Sequence, residues 1–266
     1  MNKLFDNPRN QHFRSVAIAH NGRQKVFIKT FHTMTSDEVY SIYFKYKFIE
    51  QRIDNKKIYV PKVIACDGQT ITFEYLHLPE EFRLHSLIKY AESDLQEIIV
   101  KTGMAAALFH TLCAGTKYIH GDFRVGNIFV FPERVILIDC EFPPIHIDSR
   151  GNRFDKQKPE ITYRSSKELD LASLIVSSFV TNGTGWKMYK QINTHMHTIL
   201  LDSYKKAGGA YCELKFYQCL RATIDSQYRG IFRGGAYPWY KQYAHGFMWT
   251  FAIFRNKYLR RAKFGL

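Results

Sequence analysis

Tyr118-Ile-His-Gly-Asp-Phe-Arg-Val-Gly-Asn-Ile-Phe-Val-Phe-Pro-Glu-Arg-Val-Ile-Leu-Ile-Asp-Cys-Glu141 is the stretch from which the rest of this chain can be read. Two short apolar runs, Asn127 to Phe131 and Val135 to Asp139, flank the turn-like Pro132-Glu133-Arg134. Runs of this length and composition, joined by so short a link, predict an antiparallel hairpin. Such a pair sets the first residue of one strand beside the last of the other, so Asn127 lies next to Asp139. Asp122 sits in the loop just before the hairpin. An amide oxygen and two carboxylates therefore converge at one end of a small ribbon. That donor set suits a hard cation such as magnesium, which takes a few protein oxygens and fills its shell with a substrate's phosphates.

His120-Gly-Asp122-x-x-x-x-Asn127, followed by a strand pair ending in Ile138-Asp139, resembles the protein-kinase-like superfamily. The nearest resemblance is to its antibiotic, choline and lipopolysaccharide kinases, which carry His-Gly-Asp where protein kinases carry His-Arg-Asp. The resemblance implies an α+β, two-lobed fold. Residues 1–77 would form a small, mainly antiparallel β lobe with one helix, and residues 78–266 a larger, mainly helical lobe. It also implies roles: Asp122 as catalytic base, with Asn127 and Asp139 holding the metal. Arg124 stands where protein kinases often carry a Lys that approaches the transferred phosphate. Glu141 replaces the Gly of Asp-Phe-Gly, a spot near which sugar and antibiotic kinases often place an acid, so it joins the expected metal set. His120 would prop the loop rather than move protons. A lone Asp-x-x-x-x-Asn would be an ordinary polar-ended hairpin, but here loop, strands and terminal Asp agree in order and spacing.

The chain of 266 residues, 45% hydrophobic and 23% charged, can bury a sizeable core. Its five cysteines are odd in number and include no Cys-x-x-Cys pair, which predicts reduced thiols in a cytoplasmic setting rather than disulfides or a zinc site. Met1 to Pro8 lacks the apolar core of a signal peptide, and Ala172 to Val180 is too short and serine-broken to span a bilayer. The net charge of +14 is unevenly placed: no acid follows Asp225, while eight Lys and Arg residues do. That asymmetry suggests an anionic partner, whether membrane surface, phosphorylated glycan or nucleic acid, unless it is simply a solvated tail.

Phe13 to His20 and Gln24 to Phe31 read as strands joined by Asn21-Gly22. Lys29 lies among apolar neighbours in the second and needs a counter-charge or ligand anion if buried. By resemblance it would contact the ATP phosphates. No Gly-x-Gly-x-x-Gly precedes it, a departure shared with many small-molecule kinases. Thr35-Ser-Asp-Glu38 opens a helix running to about Ile53, with Val39, Ile42, Tyr43, Tyr46 and Ile49 along one face. Glu38 is the favoured partner for Lys29 and Glu50 the other candidate, although Thr35-x-x-Glu38 is also a capping box.

Val60 to Ala65 and Gln69 to Leu76 read as further strands, and Phe73-Glu-Tyr-Leu76 resembles the inter-lobe hinge. There the backbone of Glu74 and Leu76 would meet adenine. Ser93 to Cys113 reads as a buried helix on which His110 packs. Phe142 to Lys167 has no clear period and corresponds to the acceptor-binding segment. Glu168-Leu-Asp170-Leu-Ala-Ser-Leu174 resembles the family's Asp-Leu-Ala-x-Leu, whose Asp braces the catalytic loop. His195-Met-His197 lacks a third ligand, and Gly208-Gly209 and Gly234-Gly235 read as loops. Near the C-terminus, Phe247, Phe251, Phe254 and Tyr258 follow helical spacing beside Lys257, Arg260 and Arg261, a mixture suited to a membrane interface or glycan.

These readings converge on an ATP- and magnesium-dependent kinase acting on a hydroxyl, with a lipopolysaccharide or other glycolipid sugar as the favoured acceptor. The protein would be cytoplasmic, with a peripheral membrane contact through its basic end. The alternatives are an atypical protein or RNA-associated kinase, and a pseudokinase acting as a binding module.

Overall fold

Gly22 turns the chain with a φ of +62°, which glycine adopts without steric cost, and so joins β1 (Arg14–Asn21) to β2 (Gln24–Phe31). The computed structural model describes residues 14–22, 24–53, 56–90, 95–140, 166–180, 196–220 and 223. β2 pairs with β5 (Thr70–Glu74) and β5 with β4 (Val63–Asp67), giving an antiparallel sheet in the order β1-β2-β5-β4. Lys29 lies directly across from Ile71, and Phe27 from Phe73, so all four share one face.

That face is covered by α1 (Ser36–Glu50), whose Tyr46 ring meets Phe73 edge-on at 5.0 Å. The helix starts on a capping box. Thr35 Oγ1 accepts the Glu38 N–H at 3.3 Å, and the Glu38 carboxylate accepts the Thr35 N–H at 2.8 Å. Val39, Ile42, Tyr46 and Ile49 are buried as their spacing predicts. The helix ends at Glu50, three residues short of the expected Ile53, but Arg52 and Ile53 still donate to the Ile49 carbonyl at 3.0 and 2.9 Å.

The strand expected over Val60 to Ala65 divides. β3 (Ile58–Tyr59) precedes Pro61 and β4 follows it, and the two belong to different sheets. Proline offers no N–H to a ladder, so a change of sheet at this position loses no hydrogen bond. β3 pairs in parallel with β7 (Val135–Leu137), which pairs with β6 (Ile128–Val130) in the order β3-β7-β6. The segment leaving α1 is thus annealed to the hairpin that carries Asp139.

The helices of the larger part are α2 (Leu84–Tyr90), α3 (Leu95–Leu112), α4 (Lys167–Val180) and α5 (Met196–Lys206), with further helix over 213–220. α3 and α5 cross closely at Gly103. A methyl group there would lie 2.5 Å from the Leu200 carbonyl oxygen and 2.9 Å from Ser203 Cβ, so only glycine admits this approach. The result is the α+β, two-lobed arrangement expected from the kinase resemblance. All five cysteines are free thiols. Among the described residues no helix is long and apolar enough to cross a membrane. Glu141, residues 142–165, His195, Gly234-Gly235 and the basic aromatic end lie outside the described residues.

Candidate active site

Asn127 and Asp139 meet at the open end of the β6–β7 hairpin. Ile128 pairs with Leu137, and the Ile138 N–H donates to the Asn127 carbonyl at 2.9 Å. The two strands are shorter than the sequence predicts, and the register differs by one: Asn127 falls opposite Ile138, and Asp139 follows it where the positive φ takes the chain out of the ladder. Before β6 the chain makes a single 3-10 turn, Val125–Asn127, closed by Asn127 N–H to Arg124 O at 2.8 Å. This turn folds the Asn127 amide back onto Asp122. Its Nδ2 donates to the Asp122 carbonyl at 2.9 Å and to Asp122 Oδ2 at 3.0 Å. The amide oxygen carries no hydrogen bond among the described residues.

Asp139 has a φ of +56°, the only positive value among the described non-glycine residues. An Asp tolerates this region better than most residues, and such backbones cluster where function over-determines them. Lys29 Nζ donates to Asp139 Oδ1 at 3.1 Å, and Arg14 approaches the other oxygen at 3.8 Å. Lys29 is only 2% exposed. Burial lowers its pKa, and the Asp139 carboxylate offsets part of that fall. For Asp139 the balance is reversed. Burial would raise its carboxyl, but Lys29 and Arg14 outweigh burial and hold it below the usual value.

Arg124 grips Asp122 with two nitrogens. Its terminal NH2 group donates to Oδ2 at 2.6 Å and its Nε lies against Oδ1. Asp122 is buried, whereas the Arg124 side chain is 45% exposed and has room to move.

The loop of Asp122 is held from behind by Asp170, on the first turn of α4. The carboxylate accepts the His120 N–H at 2.7 Å, the Gly121 N–H at 2.9 Å and His110 Nε2 at 3.2 Å. Burial would raise this carboxyl, but the His110 bond and the neighbouring imidazoles leave it lowered. His110 is therefore more than the packing residue expected. Its Nδ1 meets the Tyr204 hydroxyl at 3.0 Å, which completes a chain from α5 through α3 to the loop. In the neutral tautomer that donates from Nε2 to Asp170, Nδ1 accepts from the Tyr204 hydroxyl.

His120 itself is fully buried between Phe109 and Phe123, with ring centroids 5.7 and 4.8 Å away. Neither ring nitrogen has a hydrogen-bond partner among the described residues. Burial drops its pKa to about 4, so the ring is neutral at pH 7 and serves as packing. The unfolded chain binds a proton near pH 6.5 and the folded one only near 4, so stability falls as pH drops through that interval. His120→Leu removes the titration. Urea unfolding of the variant at pH 5 should show it spared about 2 kcal/mol of acid loss relative to wild type.

The remaining expected residues fall as follows. Glu38 caps α1 through its bond to Thr35, and among the described residues Lys29 donates to the Asp139 carboxylate. Glu50 pairs with Lys47 at 3.2 Å on the helix surface. Glu74 ends β5, where its carboxylate accepts the Lys62 N–H at 2.7 Å and the Tyr59 hydroxyl. Leu76 packs with Ile138 against Tyr59, Phe129 and Ile136. His197 sits beside the Thr198 hydroxyl at 3.3 Å. Among the described residues no three His, Cys, Asp or Glu gather as a metal site. An ion held by Asn127 and Asp139 would therefore need a ligand's oxygens to complete its shell, as magnesium usually does in nucleotide sites.

Two neighbours in α1 make contacts that the sequence reading missed, Lys45 altogether and Tyr46 beyond its place on the apolar face. Lys45, 1% exposed, donates to the His120 carbonyl at 3.0 Å, and the Tyr46 hydroxyl accepts the Cys140 N–H at 2.8 Å. Lys45 follows Ile42 by three residues and precedes Ile49 by four, a spacing that puts it on the buried stripe.

A family model described as the RIO domain matches residues 7–142, just over half of the 266-residue chain. A comparison with curated proteins returns no significant match. Among solved structures, the complex of Rv3197 with erythromycin from Mycobacterium tuberculosis is similar over 47% of this chain at 15% identity, with a TM-score of 0.38. This chain spans 42% of that protein, a likeness too slight to bear on function.

Proposed function

Because this chain belongs to the RIO domain family, we propose that it is an ATP-dependent phosphotransferase of the atypical protein-kinase kind, acting on a protein or an RNA-bound partner. The glycolipid sugar favoured by the sequence gives way as acceptor. It rested on His-Gly-Asp and on the basic tail, and the family match supports the atypical kinase better. One observation carries the catalytic part of the proposal. A buried lysine and two acidic loops, distant in sequence, meet at one hairpin end, with Lys29 on Asp139 and Asn127 on Asp122.

In this reading Asn127 and Asp139 hold magnesium, and the donor set fits. The Asn127 amide oxygen has no hydrogen bond among the described residues, and the Asp139 carboxyl is held below its usual value by Lys29 and Arg14. When bound, the metal neutralises charge on the β- and γ-phosphates. Lys29 adds a fixed positive charge in a site shielded from water, where it counts for more than on the surface. Asp122 orients the attacking hydroxyl and accepts its proton. Arg124 occupies both Asp122 oxygens in the resting site, so its exposed guanidinium must release one for the acceptor and turn to the transferred phosphate.

Residues 1–77 and 78–266 would act as two lobes with the nucleotide between them. Leu76 and Ile138 would form the apolar floor for a purine. The Glu74 N–H is already bonded to the Lys62 carbonyl at 3.0 Å, so only the Glu74 carbonyl is left to meet the base. The eight cations after Asp225 support a negatively charged partner, RNA before membrane in this reading.

Labelled γ-phosphate from ATP, offered to protein, RNA and glycolipid fractions, tests the assignment with wild type beside Asp122→Ala. Label is expected in protein, reduced about 10²–10⁴-fold in the variant. Label in glycolipid would restore the sugar acceptor. Absence of transfer, together with failure to bind magnesium-ATP, would leave a binding module.

A further inference from the structure

We propose that Lys45 and Tyr46, consecutive on α1, are positioning residues that seat the two acidic loops separately: Lys45 sets the loop of Asp122 and Tyr46 sets the turn of Asp139. The proposal rests on the phosphotransfer reading above and adds to it the residues on which the spacing of the site depends.

Successive residues on a helix diverge by about 100°, so neighbours cannot serve one target but can serve two. Here they do. Lys45 Nζ donates to the carbonyl of His120, two residues before Asp122. The Tyr46 hydroxyl accepts the N–H of Cys140, one residue after Asp139. Each contact completes a bracket around its loop. The His120 peptide is gripped by Asp170 at its N–H and by Lys45 at its carbonyl. The left-handed turn at Asp139 is fixed on one side by Ile138 N–H to Asn127 O and on the other by Cys140 N–H to Tyr46.

A strained non-glycine turn persists only where its surroundings over-determine it, and the Tyr46 hydroxyl is half of that restraint. Both side chains are buried, so neither contact is diluted by water. Such placement is hard to explain as packing. A buried lysine is costly, and an apolar residue on the same stripe would have filled α1 at no electrostatic penalty.

Two variants separate the roles, and steady-state phosphotransfer or ATP hydrolysis at varied magnesium reads them. Tyr46→Phe keeps the ring and removes only the oxygen. It should raise the magnesium concentration for half-maximal rate about 10-fold, the usual scale for loss of a partner behind a metal ligand. Its rate at saturating magnesium should stay within a few-fold of wild type. Lys45→Met should do the reverse, lowering kcat about 10–100-fold with the magnesium requirement unchanged, because a misplaced base costs rate rather than metal affinity. Equal changes in both parameters for both variants would show α1 acting only as generic support and overturn the proposal.

Should Lys45→Met not fold, the Tyr46→Phe arm decides alone. Hydrogen exchange supplies a readout independent of activity. In Tyr46→Phe the Cys140 amide should exchange at least about 10-fold faster while the His120 and Gly121 amides keep their wild-type protection. Unchanged exchange at Cys140 sinks the positioning role. A wild-type protein that transfers no phosphate yet shows the exchange pattern sinks the kinase reading alone.

Discussion

Asp170→Asn is expected to lower unfolding free energy by about 3–5 kcal/mol and to remove most phosphotransfer, through loss of the loop rather than of any reacting group. The carboxylate accepts from His120 N–H, Gly121 N–H and His110 Nε2 with two oxygens. Asparagine offers one oxygen and sets an NH2 against a donor. At least one buried N–H is then left unpaired, and bonds to a charged acceptor contribute about 1.5–3 kcal/mol each. The Asp170 carboxyl is held below its ordinary value of 3.8. Its contribution is therefore complete above about pH 4 and lost as pH falls through the lowered value. Urea unfolding across pH 3 to 7 checks this. The gap between variant and wild type should be constant above pH 4.5 and narrow below it.

The second large effect is an asymmetry within one ion pair. Asp139→Ala removes the carboxylate bonded to Lys29, an ammonium with almost no contact with water. Breaking a buried pair from one side costs about 3–5 kcal/mol. The Lys29 pKa, already below 10.5 through burial, falls further in the variant. The unfolded chain then holds its proton at pH values where the folded chain has released it, so stability rises with pH up to about 10.5. The variant's deficit should therefore narrow as pH rises toward 10.5. Lys29→Met leaves the other charge, but Asp139 is 24% exposed and keeps Arg14 at 3.8 Å, so the loss of stability should be smaller, about 1–2 kcal/mol. Both variants should lose transfer. Equal destabilisation by the two would show that Asp139 depends on Lys29 as strongly as Lys29 depends on Asp139, and would refute the asymmetry.

What the sequence disclosed follows the range of the interactions. The hairpin of Asn127 and Asp139 was legible because strands, turn and polar ends all lie within residues 120 to 139, while its register was misread by one position because a three-residue strand pair fixes register only weakly. The role of Asp170 was legible only through family order, since nothing near it in sequence says that it reaches residues 49 and 50 positions away. The place of β3 in the second sheet was not legible. A two-residue strand carries no period, and its pairing with Val135 and Ile136 is fixed by tertiary packing. His110 looked like packing because a histidine on an apolar helix face gives no local sign of partners on two other helices. Lys45 could have been found. Its spacing from Ile42 and Ile49 marks a lysine inside the core stripe, where a charge needs a specific reason. Glu38 satisfied two explanations in sequence, and its carboxylate is seen capping the helix.

The parallel pairing of β3 with β7 also has a bearing on when the protein becomes competent during its synthesis. Ile58 must wait for Val135, Lys29 for Asp139, and His120 for Asp170. The Lys29 contact spans 110 positions, so it is closed against a long loop and rewarded late. At roughly 5–20 residues per second, several seconds separate the emergence of Lys29 from that of its partner. A nascent chain thus exposes a lysine-bearing sheet with no carboxylate to meet it, and the loop of Asp122 stays unbraced until α4 leaves the ribosome. Chains released before residue 170 would carry the whole signature motif and still lack a fixed site.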